Sequence, residues 1–251
     1  MNIPLFLLVL FVGHILGDFY FQSGNMASKK KSKIKWLFAH GAVYSGCIAS
    51  ALLALILFGG VAPSVDFLWI FILASASHIA VDFFKRNAAW ENSKWSFAAD
   101  QAAHLGFLLL AWILWGREIA VGCYIYDYAQ HIAIALGLMI IVLPIGLLIE
   151  SGIIWAFPEA VSGEPQKNDL PQRNASRMIG YLERIIVYFL LLNGEYSAIA
   201  LVIAAKSIAR FPEINNDESF LQANYYIIGT FLSFAAVFAV TVLLGLITPP
   251  T

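Results

Sequence analysis

Apolar residues gather in runs long enough to cross a bilayer, at about residues 3–22, 36–58, 66–84, 97–116, 131–157, 178–193, 196–210 and 223–247. This pattern predicts an all-α fold, a polytopic membrane helical bundle of about eight transmembrane helices. The sixth and seventh runs are short, and the turn between them, Asn193-Gly194-Glu195, is tight. As a re-entrant hairpin they would leave six full spans; as thin, tilted helices they would keep the count at eight. Residues 158–177 are polar and hold Pro and Gly, so they read as a cytoplasmic loop. Two membrane domains follow from this division, 1–116 and 117–251.

Polar residues interrupt the first four runs in a repeated order. His14-Ile15-Leu16-Gly17-Asp18-Phe19 is matched by His78-Ile79-Ala80-Val81-Asp82-Phe83. Each copy is followed in the next run by a histidine at the same distance, since 40 − 18 and 104 − 82 both equal 22. The first half is therefore a duplicated helical hairpin. Asp100, one turn before His104, adds a carboxylate to the second hairpin, where the first has Trp36.

Composition strengthens the membrane reading. Hydrophobic residues make up 60% of the chain and charged ones 12%, with a mean hydropathy of +0.77, more apolar surface than a soluble domain of this size can bury. The first run lacks a basic segment before it and is followed by Lys29, Lys30, Lys31, Lys33 and Lys35, the order of an uncleaved first helix and not of a signal peptide. With the N-terminus outside, nearly all lysines and arginines fall on the cytoplasmic side and Arg117 stays on the outer one. Cys47 and Cys123 lack metal or redox spacing and read as packing residues. No P-loop, dinucleotide fingerprint, G-x-S-x-G or HExxH occurs. Topology and inner-leaflet lipid account for the lysine run, so nothing points to nucleic acid; protein partners stay unknown.

Helix direction then brings the polar residues to one depth. The first and third helices run inward and the second and fourth outward, so His14, Asp18, His40, His78, Asp82, Asp100 and His104 fall within about 15 Å of the cytoplasmic boundary. Imidazole and carboxylate together suit a divalent transition metal, Zn, Mn or Fe, better than Ca or Mg. Three readings compete for the cluster: one or two metal ions, a proton or ion relay, or His–Asp pairs that only fasten helices together. His14, Asp18, His40, His78, Asp82 and His104 are the candidate metal residues, and Asp100 is ligand or general base. Gln22 shares the face of His14 and Asp18 and either orients a ligand or caps the helix. His131 lies at the outer side as an interfacial residue. In the second half Arg184, Lys206 and Arg210 are candidates for an anionic group such as a lipid phosphate, against snorkelling for the last two. For adjacent Glu183 and Arg184 an ion pair between helices is the default.

The motifs His14-Ile-Leu-Gly-Asp18-Phe with Gln22, His40, His78-Ile-Ala-Val-Asp82 with Lys85, and Asp100-Gln101-Ala-Ala-His104 resemble domain-of-unknown-function family 3307, over most of residues 3–116. The second half looks like the tail of longer members. That resemblance implies a bacterial inner-membrane protein without an assigned chemistry. HxxxD helices also look like those of membrane-bound metal-dependent hydrolases, an analogy of motif alone. The leading expectation is accordingly a metal-dependent hydrolase acting on a lipid or lipid-linked substrate. A divalent-cation or proton transporter and a structural or regulatory membrane subunit are the alternatives.

Overall fold

The computed structural model describes residues 5–87, 96–119, 121, 128–156, 170–214 and 220–247, without the side chains of 155, 170–174, 209–214 and 220–226. Helices account for nearly all of them, and no strand occurs among the described residues. Five helical stretches are long and apolar enough to span a bilayer: Ile34–Phe58, Val65–Asn87, Ser96–Gly116, Ala129–Ile154 and Ile227–Leu246. Many of their large apolar side chains face outward, among them Leu53, Leu57, Leu68, Trp69, Leu114 and Leu243. Outward apolar faces on such helices are what lipid requires, and the chain is a multi-pass membrane protein.

The first expected span is bent. Helix α1 (Leu5–Ile15) runs into a π-helical turn (Leu16–Tyr20) closed by Phe21 N–H donating to the Leu16 carbonyl at 2.8 Å. Ser23, in extended conformation, caps the next helix, α2 (Gly24–Ser32), by accepting from Met26 N–H at 3.2 Å. α2 leaves α1 at 81°. Arg86 closes its far end by donating to the Lys31 and Ser32 carbonyls at 3.1 and 3.2 Å.

Helices α3 (Ile34–Phe58), α4 (Val65–Asn87) and α5 (Ser96–Ala111) complete a bundle with α1, in which α1 packs on α3, α3 on α4 and α4 on α5. A second π-helical turn (Trp112–Gly116) ends α5. α1 approaches α3 closely because Gly13 and Gly17 present no side chain. A Cβ at Gly13 would stand 3.0 Å from Ala51 Cβ, and one at Gly17 would stand 3.0 Å from Tyr44 Cα. The core holds Phe6 and Leu10 of α1, Tyr44, Ile48, Leu52 and Leu55 of α3, Phe67, Ile70 and Ala74 of α4, and Leu108 and Ala111 of α5. All of these lie on one side of the four histidines along their helices, so the bundle is mainly apolar from the histidine layer to one end, with Ser75 and Ser77 its buried hydroxyls there.

These helices belong to a compact unit of residues 1–136 with 246–251; residues 137–245 form the other. In the span that starts at Ala129, α6 (Ala129–Val142) and α7 (Pro144–Ala156) are separated at Leu143, where Pro144 lacks the N–H that would continue the ladder. α8 (Leu170–Leu192) and α9 (Tyr196–Ile214) form a helical hairpin, with Gly194 at φ +72° in the left-handed conformation that a side chain disfavours. They correspond to the sixth and seventh runs, and neither is among the described helices that are long and apolar enough to span a bilayer. α10 (Phe220–Ile247) is the last.

Candidate metal centre

Each of α1, α3, α4 and α5 brings one histidine inward at the same level: His14, His40, His78 and His104 are 0–2% exposed. Asp18, Asp82 and Asp100, each 6% exposed, lie beside them. The closest contacts run between helices and not along them. His40 Nε2 is 3.2 Å from Asp18 Oδ1 and 3.1 Å from His78 Nε2, with Asp82 Oδ2 at 3.5 Å. His78 Nε2 in turn lies 3.8 Å from Asp18 Oδ1 and 3.9 Å from Asp82 Oδ2.

This arrangement has more acceptors than protons. A neutral imidazole carries one N–H, and an ionised carboxylate carries none. Once one ring donates, the remaining lone pairs in the group face one another. A cation removes the conflict. Ligand atoms of Asp18, His40 and His78 lie within 4.8 Å of one another, and so do those of His78, Asp82 and His104. The 3.1 Å between the two Nε2 atoms is close to the separation of about 3.3 Å that two nitrogens take on a tetrahedral ion with bonds of 2.0–2.1 Å. The buried His and Asp groups could therefore hold a metal ion, with His78 common to both sets.

Of the seven residues expected to meet, five form these two sets and two flank them. His14 turns Nε2 to Gln101 Oε1 at 3.4 Å, and its ring stands edge-on to Tyr44. Asp100 Oδ2 takes Lys85 Nζ at 2.9 Å and the Gln101 amide at 3.3 Å, while its Oδ1 is buried without a hydrogen-bond partner. His104 Nε2 lies 3.5 Å from that oxygen and 4.0 Å from Asp82 Oδ1, and it too is buried without a hydrogen-bond partner. The pairing of each His with the Asp on its own helix, as a purely structural cluster would have it, is thus the weaker contact for His78 and Asp82.

Four residues complete the site that sequence reasoning gave no role. Gln101 donates to Asp18 Oδ2 at 2.9 Å as well as to Asp100, joining the two hairpins. Tyr44 stacks on His78 with centroids 3.6 Å apart and planes 5° from parallel, and His78 stacks on His104 at 4.2 Å. Lys30 reaches back from α2 to Asp82 Oδ2 at 2.8 Å. Lys85 makes the matching bond to Asp100 from α4. Gln101 and Lys85 stand within the motifs that carry the family resemblance, the one signal that could have found them. Gln22, with its amide oriented to satisfy both ends, donates to the Asp18 carbonyl at 3.2 Å and accepts from Lys30 Nζ at 2.8 Å. It positions Lys30.

Two of the three candidates for an anionic group in the second half have partners within the chain. Arg184 is 6% exposed and spends its guanidinium on the carbonyls of Ile141 and Val142, at the break before Pro144. Those carbonyls end α6, and a buried donor there satisfies acceptors that the interrupted helix leaves open. Gly146 makes room, since a Cβ there would lie 3.0 Å from Arg184 Nη2. Lys206 pairs with Glu183 across the hairpin. Glu183 therefore has the interhelical ion pair expected of it, with Lys206, while Arg184 has none among the described residues. The side chain of Arg210 lies outside the described residues, as does Cys123. Cys47 is a free thiol, and His131 is exposed with Tyr128 beside its ring.

The chain belongs to the family described as proteins of unknown function, DUF3307, whose model matches residues 6–132. This stretch contains every side chain of the cluster. No curated protein and no solved structure matches the chain.

Proposed function

We propose that the protein is a metal-dependent membrane hydrolase whose centre faces the cytoplasmic leaflet and acts on a lipid or lipid-linked substrate. The observation that carries this reading is the convergence of His40 and His78 Nε2, 3.1 Å apart, between the carboxylates of Asp18 and Asp82. Nitrogen with carboxylate oxygen suits Zn, Mn or Fe. A metal held there supplies a Lewis acid and lowers the pKa of water toward neutrality. Asp100 Oδ1, buried beside His104 with no hydrogen bond of its own, is the acceptor for the proton that the attacking water gives up. Lys85 and Gln101 hold the other oxygen and so fix the direction of the first.

One-sidedness favours hydrolysis over transport. Among the described residues the bundle is filled mainly by buried apolar side chains from the histidine layer to its far end, with Leu55 and Ile70 at 0% exposure and the small hydroxyls of Ser75 and Ser77 as buried polar groups, and no buried charged side chain lies there. Lys30 and Lys85 stand at the other end; the excess of lysine and arginine there supports a cytoplasmic side with the N-terminus outside, and the family resemblance supports the inner membrane. A carrier for divalent cations or protons is the second reading, favoured by the duplicated hairpin.

The test is metal analysis of protein purified in lipid nanodiscs, followed by turnover of inner-membrane lipids. Expected are stoichiometric metal that disappears in His40→Ala, and metal-dependent hydrolysis that disappears in Asp100→Asn while the metal stays. Metal-dependent flux in proteoliposomes without turnover would replace this reading by transport. A wild-type protein that takes up no metal would end the hydrolase and the divalent-cation carrier, leaving proton transport.

A further inference from the structure

Lys30 and Lys85 differ from the rest of the cluster in two respects. They come from outside the HxxxD helices' buried faces, one on α2 and one at the end of α4, and their side chains are 19% and 27% exposed where their carboxylate partners are 5% and 7%. They therefore stand between the buried donors and the surroundings. Each is bound to a different carboxylate, Lys30 Nζ to Asp82 Oδ2 at 2.8 Å and Lys85 Nζ to Asp100 Oδ2 at 2.9 Å.

Charge arithmetic gives these lysines a second task. Asp18, Asp82 and Asp100 contribute −3, and Lys30 and Lys85 contribute +2, so with neutral imidazoles the cluster sums to −1. A divalent cation among the ligands brings the sum to +1. It also draws on the Asp82 carboxylate that now holds Lys30, which weakens that ion pair. Two partly exposed ammonium groups are then left beside a site with net positive charge, in a surrounding that screens poorly. An anion completes the balance, and a neutral ester does not. Ammonium groups are point donors that suit the oxygens of a phosphoryl group.

We propose that Lys30 and Lys85 form the receptor for a phosphoryl group of the substrate, which makes the substrate class a phosphate ester. This rests on the metal-centre reading above. The metal creates the charge that the phosphoryl group answers, and Gln22 holds Lys30 at the mouth through its amide oxygen at 2.8 Å.

Binding of inorganic phosphate and of short-chain phosphatidic acid to the metal-loaded protein, read by calorimetry alongside metal content, tests the proposal. Lys30→Met and Lys85→Met should each weaken phosphate binding by about tenfold or more, the loss of one charge-assisted hydrogen bond, while metal content stays at the wild-type level. Lys30→Arg should keep most of the affinity, and Lys35→Met, on an exposed position, all of it. Tighter binding of phosphatidic acid than of inorganic phosphate assigns the group to a lipid, and equal binding assigns it to a soluble phosphate. Metal-loaded wild type that binds neither probe overturns the proposal and leaves the metal centre standing. So does unchanged binding in both methionine variants. A wild type without metal overturns the two together.

Discussion

The two hairpins share a string of residues and put it to different use. In the first, His14-Ile-Leu-Gly-Asp18, the aspartate lies in a π-helical turn, and its carboxylate goes to His40 and Gln101 while His14 faces elsewhere. In the second, His78-Ile-Ala-Val-Asp82, the helix is regular and the aspartate meets Lys30 and His40 from the first hairpin. The flanking residues differ in size as well. Gly13 and Gly17 let α1 lie close on α3, where the second copy has Ser77 and Val81. Equal spacing in sequence therefore selects which helix faces meet, while the packing partners decide where each carboxylate ends up. A wider turn at Leu16–Tyr20 is one of the few ways to redirect a side chain without breaking a helix. The result is a lopsided centre, in which His78 serves both ligand sets and its counterpart His14 serves neither.

That lopsidedness can be broken directly. His78→Ala removes the ring common to Asp18–His40 and to Asp82–His104, so bound metal should fall from stoichiometric to near zero on purification. His14→Ala, the equivalent change in the other repeat, should retain most of it. If the two variants lose metal equally, the repeats are equivalent in function and the asymmetry of their contacts is without consequence. A smaller effect is expected for Gln101→Leu. Gln101 orients Asp18 and Asp100 without entering either ligand set, and removing such a supporting group weakens metal affinity by about 10–100-fold. Competition with a fluorescent chelator measures it. An unchanged affinity would mean that the two hairpins hold their carboxylates in place independently.

How much of this could be read in the chain differs between its parts. Runs of apolar residues leave a helix little alternative to a bilayer or a core, so the membrane bundle was plain. The common depth of seven polar residues was read from the repeat together with helix direction, and in the structure these residues form one network of contacts. Lys30 was hidden by a competing explanation, because a lysine run after a first span is ordinary topology. Only the 81° bend before α2 turns it back toward Asp82, and of the groups that hold α2 there, Ser23, Gln22 and Arg86, none announces a bend in the sequence. The π-helical turn is equally silent, since Gly17 and Asp18 fit a regular helix as well. Arg184 escaped for another reason. Its partners are backbone carbonyls freed some forty positions earlier by Pro144, and a carbonyl has no letter in the sequence. Arg184 and Lys206, two of the residues that made an anion site plausible on charge alone, are paired within the chain.

The smallest effect expected concerns the close approach that sets the two hairpins apart. Gly17→Ala puts a methyl group 3.0 Å from Tyr44 Cα and from Tyr44 Cδ2, tighter than carbon atoms tolerate. Backbone on α3 cannot yield as a side-chain tip would, so α1 must shift, at a cost of about 1–3 kcal/mol. Thermal unfolding in detergent should show this as a drop of about 2–4 °C per kcal/mol, by the scale for chains of this length. Gly46→Ala is the control, since a Cβ there meets nothing within 4 Å. It should leave the transition unchanged or raise it slightly, because alanine favours the helix. Tyr44 is also the ring stacked on His78, so the same methyl should loosen metal binding modestly in addition to stability. A Gly17→Ala protein as stable as the Gly46→Ala control would show that α1 does not need the narrow contact, and that something other than helix proximity steers Asp18 toward His40.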